Sequence, residues 1–479
     1  MKFEITAKSL DGTMREFWYD NERNALSDEN GEISYEIKDD GSGIKATIFS
    51  KEEPLKKQRN VALLKIQLGL SCNYACDYCS QRFVERAKET SKKDIDAFIA
   101  KLDNLNFIEA NGLKIEFWGG EPLVYWKTLK PLAEALQKKF PRWKKKPSFS
   151  IITNGSLLNK EICHWLYVND FSVGLSHDGP GQHVRGPDPL QDEEKRQVIL
   201  DFYKKMRPKN RISFNAMLHN GNPSRKAIYD YFVEFTGDQN VPLGEGSLVD
   251  AYDDGGMANV LRTKADHFNF RKMAFNDIFT SEGNIGFSSI LGKVDDFTRS
   301  VLSQRPADTI GQKCGMDSPH VMAVDLRGNV LTCQNVSSVE TSHNGESHLG
   351  GNLDDVKAVR IKTATHWRNR PHCASCPVVH LCRGACMFLE GDNWTATCAN
   401  AYTDNIALFA LAFHAITGFI PVKINGGDLP AERSDIWGDM MEHLEVAEKK
   451  VIQIKSVSAH KVELDGVEVF TKSEVKDVA

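Results

Sequence analysis

Ten of the eleven cysteines in this 479-residue chain fall into three groups: Cys72, Cys76 and Cys79; Cys314 and Cys333; and Cys373, Cys376, Cys382, Cys386 and Cys398. Cys163 stands alone. Disulfide frameworks belong to short secreted chains, whereas tight cysteine clusters in long unsigned ones read as metal ligands. The opening MKFEITAKSL alternates apolar and polar residues and does not read as a secretory signal, so a cytoplasmic protein is expected. No apolar window is long enough for a membrane span. A net charge of −5 gives no footprint for nucleic-acid binding. Neither a membrane nor a nucleic acid is an expected partner.

The chain is too long for one core, and about 150 residues per domain suggests two to four units. Residues 1–60 read as a β-rich appendage of short strands: KFEITAKSL, REFWYD, ISYEIKDD and IKATIFS, with KEEPLKKQRN as a linker. From 61 to 304, apolar strands alternate with helical patterns. The strands are VALLKIQL, LKIEFW, SFSIIT, FSVGLS and ISFNAML; the helices fall near 92–105, 127–140, 159–168, 191–206 and 224–236. That alternation implies an α/β fold with a parallel sheet, whose ligands sit at the carboxyl ends of its strands. Residues 261–303 look helical. Residues 305–403 are cysteine-rich, with a hairpin in HVMAVDLRGNVLTC turning near Gly328. Metal rather than an apolar core is expected to hold that region. A terminal unit, 404–479, opens with the apolar helix DNIALFALAFHAITG.

Cys72, Cys76 and Cys79 follow the first strand of this unit as C-x3-C-x2-C. Three thiolates can face one four-iron cube and leave one iron free for an exogenous chelator. The loop Cys72-Asn73-Tyr74-Ala75-Cys76-Asp77-Tyr78-Cys79 resembles that of the radical S-adenosylmethionine (SAM) superfamily, including the aromatic Tyr78 before the third cysteine. The resemblance implies a partial (β/α)6 barrel. It also implies a [4Fe–4S] cluster that binds SAM and cleaves it to a 5′-deoxyadenosyl radical.

Other segments carry the same resemblance. Gly119-Gly120-Glu121-Pro122 after the second strand is similar to the family's GGEP motif, which meets the methionine ammonium. Thr153-Asn154-Gly155 and Ser176-His177-Asp178-Gly179-Pro180 follow the third and fourth strands. In peptide-modifying members the first lies near the cofactor and the second near ribose or substrate. Thr153, Asn154 and Ser176 are therefore cofactor candidates and Asp178 the catalytic candidate. Asn215 in the fifth strand matches a position that contacts ribose or methionine, and it also reads as a satisfied strand residue. His177 stands where an apolar residue is usual.

The seven remaining clustered cysteines run C-x18-C, then C-x2-C-x5-C-x3-C and Cys398. They resemble the SPASM domain, the auxiliary-cluster extension of radical SAM peptide maturases. The resemblance assigns Cys314, Cys333 and Cys386 to auxiliary cluster I and Cys373, Cys376, Cys382 and Cys398 to auxiliary cluster II. With the first site that makes three [4Fe–4S] clusters. Some relatives carry an eighth cysteine where this chain has Asp308. Asp308, a substrate thiolate or water could then complete cluster I.

The expected function is a radical SAM oxidoreductase that takes a hydrogen atom from a ribosomally made precursor peptide or protein and installs a thioether or carbon–carbon crosslink. A flavodoxin or ferredoxin is the expected electron donor. One alternative is formylglycine formation by the sulfatase-maturing branch. There an aspartate base follows the cysteine matching Cys333, where this chain has Gln334. Another is a zinc-binding interaction protein without catalysis. Cys163 reads as a small buried hydrophobe, and KKFPRWKKK as a solvated helix end or an acidic-peptide dock. The first 60 residues are structural or bind a leader peptide by strand addition.

Overall fold

The computed structural model describes residues 1–35, 45–107, 112–140, 143–281, 286–343, 345–426 and 429–438. The described residues belong to one unit, Met1–Met441. Four strands open the chain: β1 (Lys2–Lys8), β2 (Met14–Asp20), β3 (Ala25–Asp28) and β4 (Gly31–Ile33). Phe3, Ile5 and Ala7 on β1 and Phe17 and Tyr19 on β2 are buried. This is the two-residue period of a sheet with one face covered.

Six parallel strands follow in chain order: β5 (Leu63–Gln67), β6 (Lys114–Trp118), β7 (Ser148–Thr153), β8 (Ser172–Ser176), β9 (Ile212–Leu218) and β10 (Leu243–Leu248). Helices α1 (Ile95–Lys101), α2 (Trp126–Lys139), α3 (Lys160–Val168), α4 (Glu193–Met206) and α5 (Arg225–Thr236) connect them. Leu64, Ile66, Ile115, Phe117, Phe149, Ile151, Val173 and Phe214 form the buried side of the sheet. This is the expected α/β arrangement of a partial (β/α)6 barrel. The sixth strand, LGEGSL, lacks the apolar run that marked the other five, since it carries two glycines and Glu245 in the left-handed region (φ 60°).

After β10 come α6 (Lys264–Phe279) and α7 (Ser288–Leu302), then β11 (Val321–Asp325), β12 (Asn329–Leu331) and β13 (Leu349–Asn352). The expected hairpin is present, with Gly328 at φ 78°. It extends the barrel sheet: β11 lies parallel to β5, with Met322 opposite Leu64 and Val324 opposite Ile66. Gln67 Nε2 fastens the join, donating to the carbonyls of Gln334 (2.8 Å) and Val336 (2.7 Å).

The long helix α8 (Gly391–Thr417) begins before the expected 404 and contains Cys398. Every residue from Tyr402 to Phe413 is buried, and from Ile406 to Phe413 the helix is apolar on all sides, as full burial requires. Strand β14 (Ile420–Asn425) then pairs antiparallel with β1, giving the sheet order β14-β1-β2-β3-β4. Phe17 and Tyr19 pack on Phe413 and Phe409 of α8. One strand expectation and one linker expectation fail. IKATIFS, where described, is no strand: Ala46 bonds to Asp308, Asn369 to Phe49, and Phe49 is buried beside Met316, Leu331 and Met387. The expected linker pairs Leu55–Lys56 with Arg360–Ile361. Most of ISYEIKDD and all of 439–479 lie outside the described residues. Among the described residues no helix is long and apolar enough to cross a membrane.

A buried ion pair ties the barrel to α8. Arg225, 1% exposed, meets Asp404 at 2.6 Å and donates through Nε and Nη2 to the Gly246 carbonyl (2.9 and 2.6 Å). Removing one partner of such a pair costs about 3–5 kcal/mol, while an apolar replacement of both costs much less. Asp404→Ala should lower unfolding stability by about that amount in denaturant titration, and Arg225→Met with Asp404→Leu should recover most of it.

Candidate active site

The sequence motifs converge at the carboxyl ends of the parallel strands. The segment Gly69–Cys79 leaves β5 and runs against the turn that leaves β6. Gly120 N–H donates to the Gly69 carbonyl (3.1 Å) and Glu121 N–H to that of Ser71 (3.0 Å). A Cβ on Gly119 would stand 2.7 Å from the Gly69 oxygen; one on Gly120 would stand 2.5 Å from that of Ser71 and 2.6 Å from that of Leu70. Both positions therefore require glycine, because the backbone of the cysteine loop fills the space.

Glu121 is buried, and its carboxylate accepts from Leu123 N–H (2.9 Å), Thr153 Oγ1 (2.7 Å) and Asn154 N–H (2.8 Å). Burial raises its pKa, opposed by these bonds. Pro122, also buried, starts the single helical turn after it. Asn154 Nδ2 donates to Asn73 Oδ1 (3.0 Å), and Asn73 Nδ2 to Ser156 Oγ (2.8 Å). The turns after β6 and β7 thus clamp the cysteine loop from two sides. Tyr125 adds a third hold, its hydroxyl accepting from Ser71 N–H (2.7 Å).

Asp178, fully buried after β8, accepts a short bond from the Tyr78 hydroxyl and one from Met217 N–H (2.8 Å). It pairs with Arg185 Nε at 3.0 Å, and the Arg185 guanidinium lies 5.5 Å from the Tyr78 ring centre. Burial and the Asp178 charge both push the Tyr78 hydroxyl well above the usual tyrosine range, so it remains a donor. Arg185 is the member of this group that the motif reading missed. His177 takes part in another way: its Nδ1 accepts from Gly179 N–H (3.0 Å) and its Nε2 meets Asp188 (2.9 Å). The imidazole folds the loop after β8 and stacks on Tyr231.

Asn215 lies on the half-buried side of β9 with Ser213 and Met217. A Cβ on Gly174 or Gly244, on the strands either side, would come within 2.3 or 2.2 Å of its amide. Two glycines thus open the sheet around Asn215. Ser176, on β8, is paired in register with Asn215.

All eleven cysteines are free thiols. Ten of them lie near enough to feel one another's charge: Cys76 with Cys72 and Cys79; Cys333 with Cys314 and Cys386; and Cys373 with Cys376, Cys382 and Cys398. Cys386 therefore stands near the hairpin cysteines, while Cys382, four residues before it, stands near Cys398. N–H groups point at sulfur in two sets, Tyr74 to Cys72, Gln81 to Cys79 and Asn335 to Cys333, each at 3.4 Å. Arg433 reaches Cys398 in the third at 3.5 Å. Burial pushes the Cys76, Cys333 and Cys376 thiols up to about 12, so as thiolates they need positive charge beside them. This donor set fits iron–sulfur clusters. Among the described residues no three His, Cys, Asp or Glu side chains converge tightly enough for a single metal ion. Asp308 pairs with Lys45 (3.2 Å), and the carboxylate coupled to Cys314 is Asp317. Cys163 is buried on α3.

Residues 66–226 match the Radical SAM superfamily. "Radical SAM cyclopropyl synthase TigE" of Paramaledivibacter caminithermalis is 25% identical over 67% of this chain and 67% of its own length. A "Serine-type anaerobic sulfatase-maturating enzyme" of Bacteroides thetaiotaomicron is 24% identical over 72% of this chain and 85% of its own. The solved structure "Native anSMEcpe with bound AdoMet" superposes with a TM-score of 0.53 at 21% identity, covering 74% of this chain and 98% of that one. The chain belongs to the radical SAM superfamily and is an enzyme of that class, with the SAM-binding iron–sulfur chemistry that defines it.

Gly120→Ala forces the cysteine loop away from the turn after β6. The anaerobically reconstituted variant should lose about four irons per chain and its SAM-dependent activity while its circular dichroism stays unchanged. A variant with full iron content would show that this packing does not hold the site.

Proposed function

We propose that the chain is a peptide maturase: it abstracts a hydrogen atom from a ribosomally made peptide and installs a thioether or carbon–carbon crosslink. The observation that carries the reading is the grouping of ten free cysteines into sets of three, three and four, the first of them on the loop that leaves β5. In this reading Cys72, Cys76 and Cys79 hold the SAM-binding cluster. Cys314, Cys333 and Cys386 hold one SPASM auxiliary cluster, and Cys373, Cys376, Cys382 and Cys398 the other. When bound, the first cluster and SAM supply a 5′-deoxyadenosyl radical.

The chain's own residues position and enclose. The Gly119–Pro122 turn and Thr153–Asn154 fix the loop that carries the first cluster. Ser176 and Asn215, paired in register beside Gly174 and Gly244, would hold the cofactor. The Asp178 carboxylate is held by the Tyr78 hydroxyl, Arg185 and the Met217 N–H, so we assign it a positioning role. Lys65 and Gln334 close the floor: Lys65 Nζ meets Gln334 Oε1 at 3.4 Å and lies 5.4 Å from the Trp118 ring centre. A product more oxidised than its substrate needs an electron exit, which gives the seven further thiolates their purpose. A flavodoxin or ferredoxin would deliver the starting electron.

The names of the sulfatase-maturating relatives support a polypeptide substrate, and the name of the cyclopropyl synthase leaves the bond formed open. Against formylglycine formation stands Gln334, where that branch carries its aspartate base. It is a buried amide engaged by Lys65, with no proton to take up near neutral pH.

Reconstituted protein should hold about twelve irons and, with SAM and dithionite, release 5′-deoxyadenosine. Replacing Cys72, Cys76 and Cys79 by alanine should abolish that release. With the cognate peptide the product should be two hydrogen atoms lighter and inert to a hydrazide probe. A hydrazone-forming aldehyde would favour formylglycine, and stoichiometric zinc with no iron would favour a non-catalytic protein.

A further inference from the structure

Beyond β14 the chain comes back onto α8 as the helical turn Ala431–Ser434 and the residues that follow it. Trp437, 1% exposed, anchors this segment. Its Nε1 donates to the Pro421 carbonyl (2.8 Å), and its ring stands edge-on to Phe275 of α6, with centres 5.2 Å apart. Ile436 N–H donates to the Val422 carbonyl (3.2 Å). Arg271 of α6, itself buried, donates through Nη1 to the carbonyls of Asp435 (3.2 Å) and Ile436 (3.3 Å). The Tyr402 hydroxyl of α8 donates to the Arg433 carbonyl (2.7 Å). Contacts from β14, α6 and α8 thus set where Arg433 stands.

The same tyrosine aims its side chain. The Arg433 guanidinium lies 4.7 Å from the Tyr402 ring centre, and Nη2 donates to the Cys398 sulfur at 3.5 Å. Tyr402 and Cys398 are four residues apart on α8, so they share one face of that helix. Arg433 is half-buried, and among the described residues it pairs with no carboxylate. A guanidinium drawn out of water is costly unless an anion stands beside it. The Cys398 sulfur is that anion when it is a metal-bound thiolate. The bonds to Cys72, Cys79 and Cys333 come from neutral backbone N–H groups, whereas Arg433 brings a full positive charge. Charge-assisted hydrogen bonds are about twice as strong as neutral ones.

Resting on the assignment of Cys373, Cys376, Cys382 and Cys398 to an auxiliary cluster, we propose that Arg433 is a positioning residue for that cluster: its guanidinium holds the Cys398 thiolate and raises the reduction potential of the cluster. Net charge and hydrogen bonds to sulfur are among the main settings of cluster potential. A cluster that takes up one electron becomes more negative, and the cation on its thiolate favours that form. No bond is made or broken, and the guanidinium keeps its protons. The cluster so biased is the better acceptor for an electron leaving the substrate.

The test uses the full chain, reconstituted anaerobically with iron and sulfide, as wild type, Arg433→Met and Arg433→Lys. Iron content is measured, and each cluster is followed by electron paramagnetic resonance during a redox titration. Cys398→Ser, measured in parallel, marks the signal that belongs to the four-cysteine set. The expected result is equal iron, with the midpoint of that signal lowered in Arg433→Met, lowered less in Arg433→Lys, and the other midpoints unmoved. An unchanged midpoint in Arg433→Met would overturn the proposal, as would an equal shift of every cluster. If Arg433→Met loses about four irons, Arg433→Lys decides: a lowered midpoint supports the proposal, and one equal to wild type overturns it. A wild type without iron at the four-cysteine set would instead bring down the cluster assignment beneath the inference.

Discussion

The site depends on two backbones lying against each other without a side chain between them. Gly69–Ser71 leads into the cysteine loop, and Gly119–Gly120 leaves the neighbouring strand; their peptide groups bond directly. A backbone contact this close cannot adjust as a side-chain contact can, so the loop's position is inherited from the sheet. The Glu121 carboxylate then carries that position on to Thr153 and Asn154. Three cysteines on a loop with little regular structure are thus placed by strands, not by the loop itself.

The rest of the molecule continues the same sheet. β11 adds to the free side of β5, so the hairpin bearing Cys333 keeps a fixed register with the strand that launches Cys72. Asn21 of the N-terminal sheet donates to the carbonyls of Ala374 and Cys376, both at 3.0 Å, and α8 supports that sheet through Phe409 and Phe413. The regions that differ most in sequence texture are therefore held by shared strands and one shared helix. Two sets of contacts join the barrel to α8: the Arg225–Asp404 pair, and the hydrogen bonds from Thr397, Asn393 and Asn400 to the segment 249–252. Both end on α8, which also carries Cys398.

Where local pattern decided structure, the sequence was sufficient. The five apolar strands and five intervening helices are found close to their expected bounds, because each buries one face and its period shows. The sixth strand escaped because Gly244 and Gly246 replaced the apolar residues that announce a buried strand. Those glycines are explained by the sheet's contents: Gly244 makes room for Asn215. IKATIFS had strand composition but no neighbouring strand to pair with, and its backbone bonds went to Asp308 and Asn369 instead. The bonds that tie the Glu121 carboxylate to Thr153 and Asn154 join turns 32 and 33 positions apart, which no local pattern records.

The sequence by itself determined which atoms are available: thiolates at metal-binding spacing, glycines where turns had to be tight, and strands long enough to aim those turns in one direction. Spacing along a chain encodes local geometry, so the trio at 72–79 was legible at once. Only the tertiary structure decided which distant groups share a space. Arg185 beside Tyr78 and Asp178, Lys65 on Gln334, and Lys45 on Asp308 are separated in sequence by between 7 and 269 positions. Such contacts follow from how strands stack and helices close over them, and no local period records them.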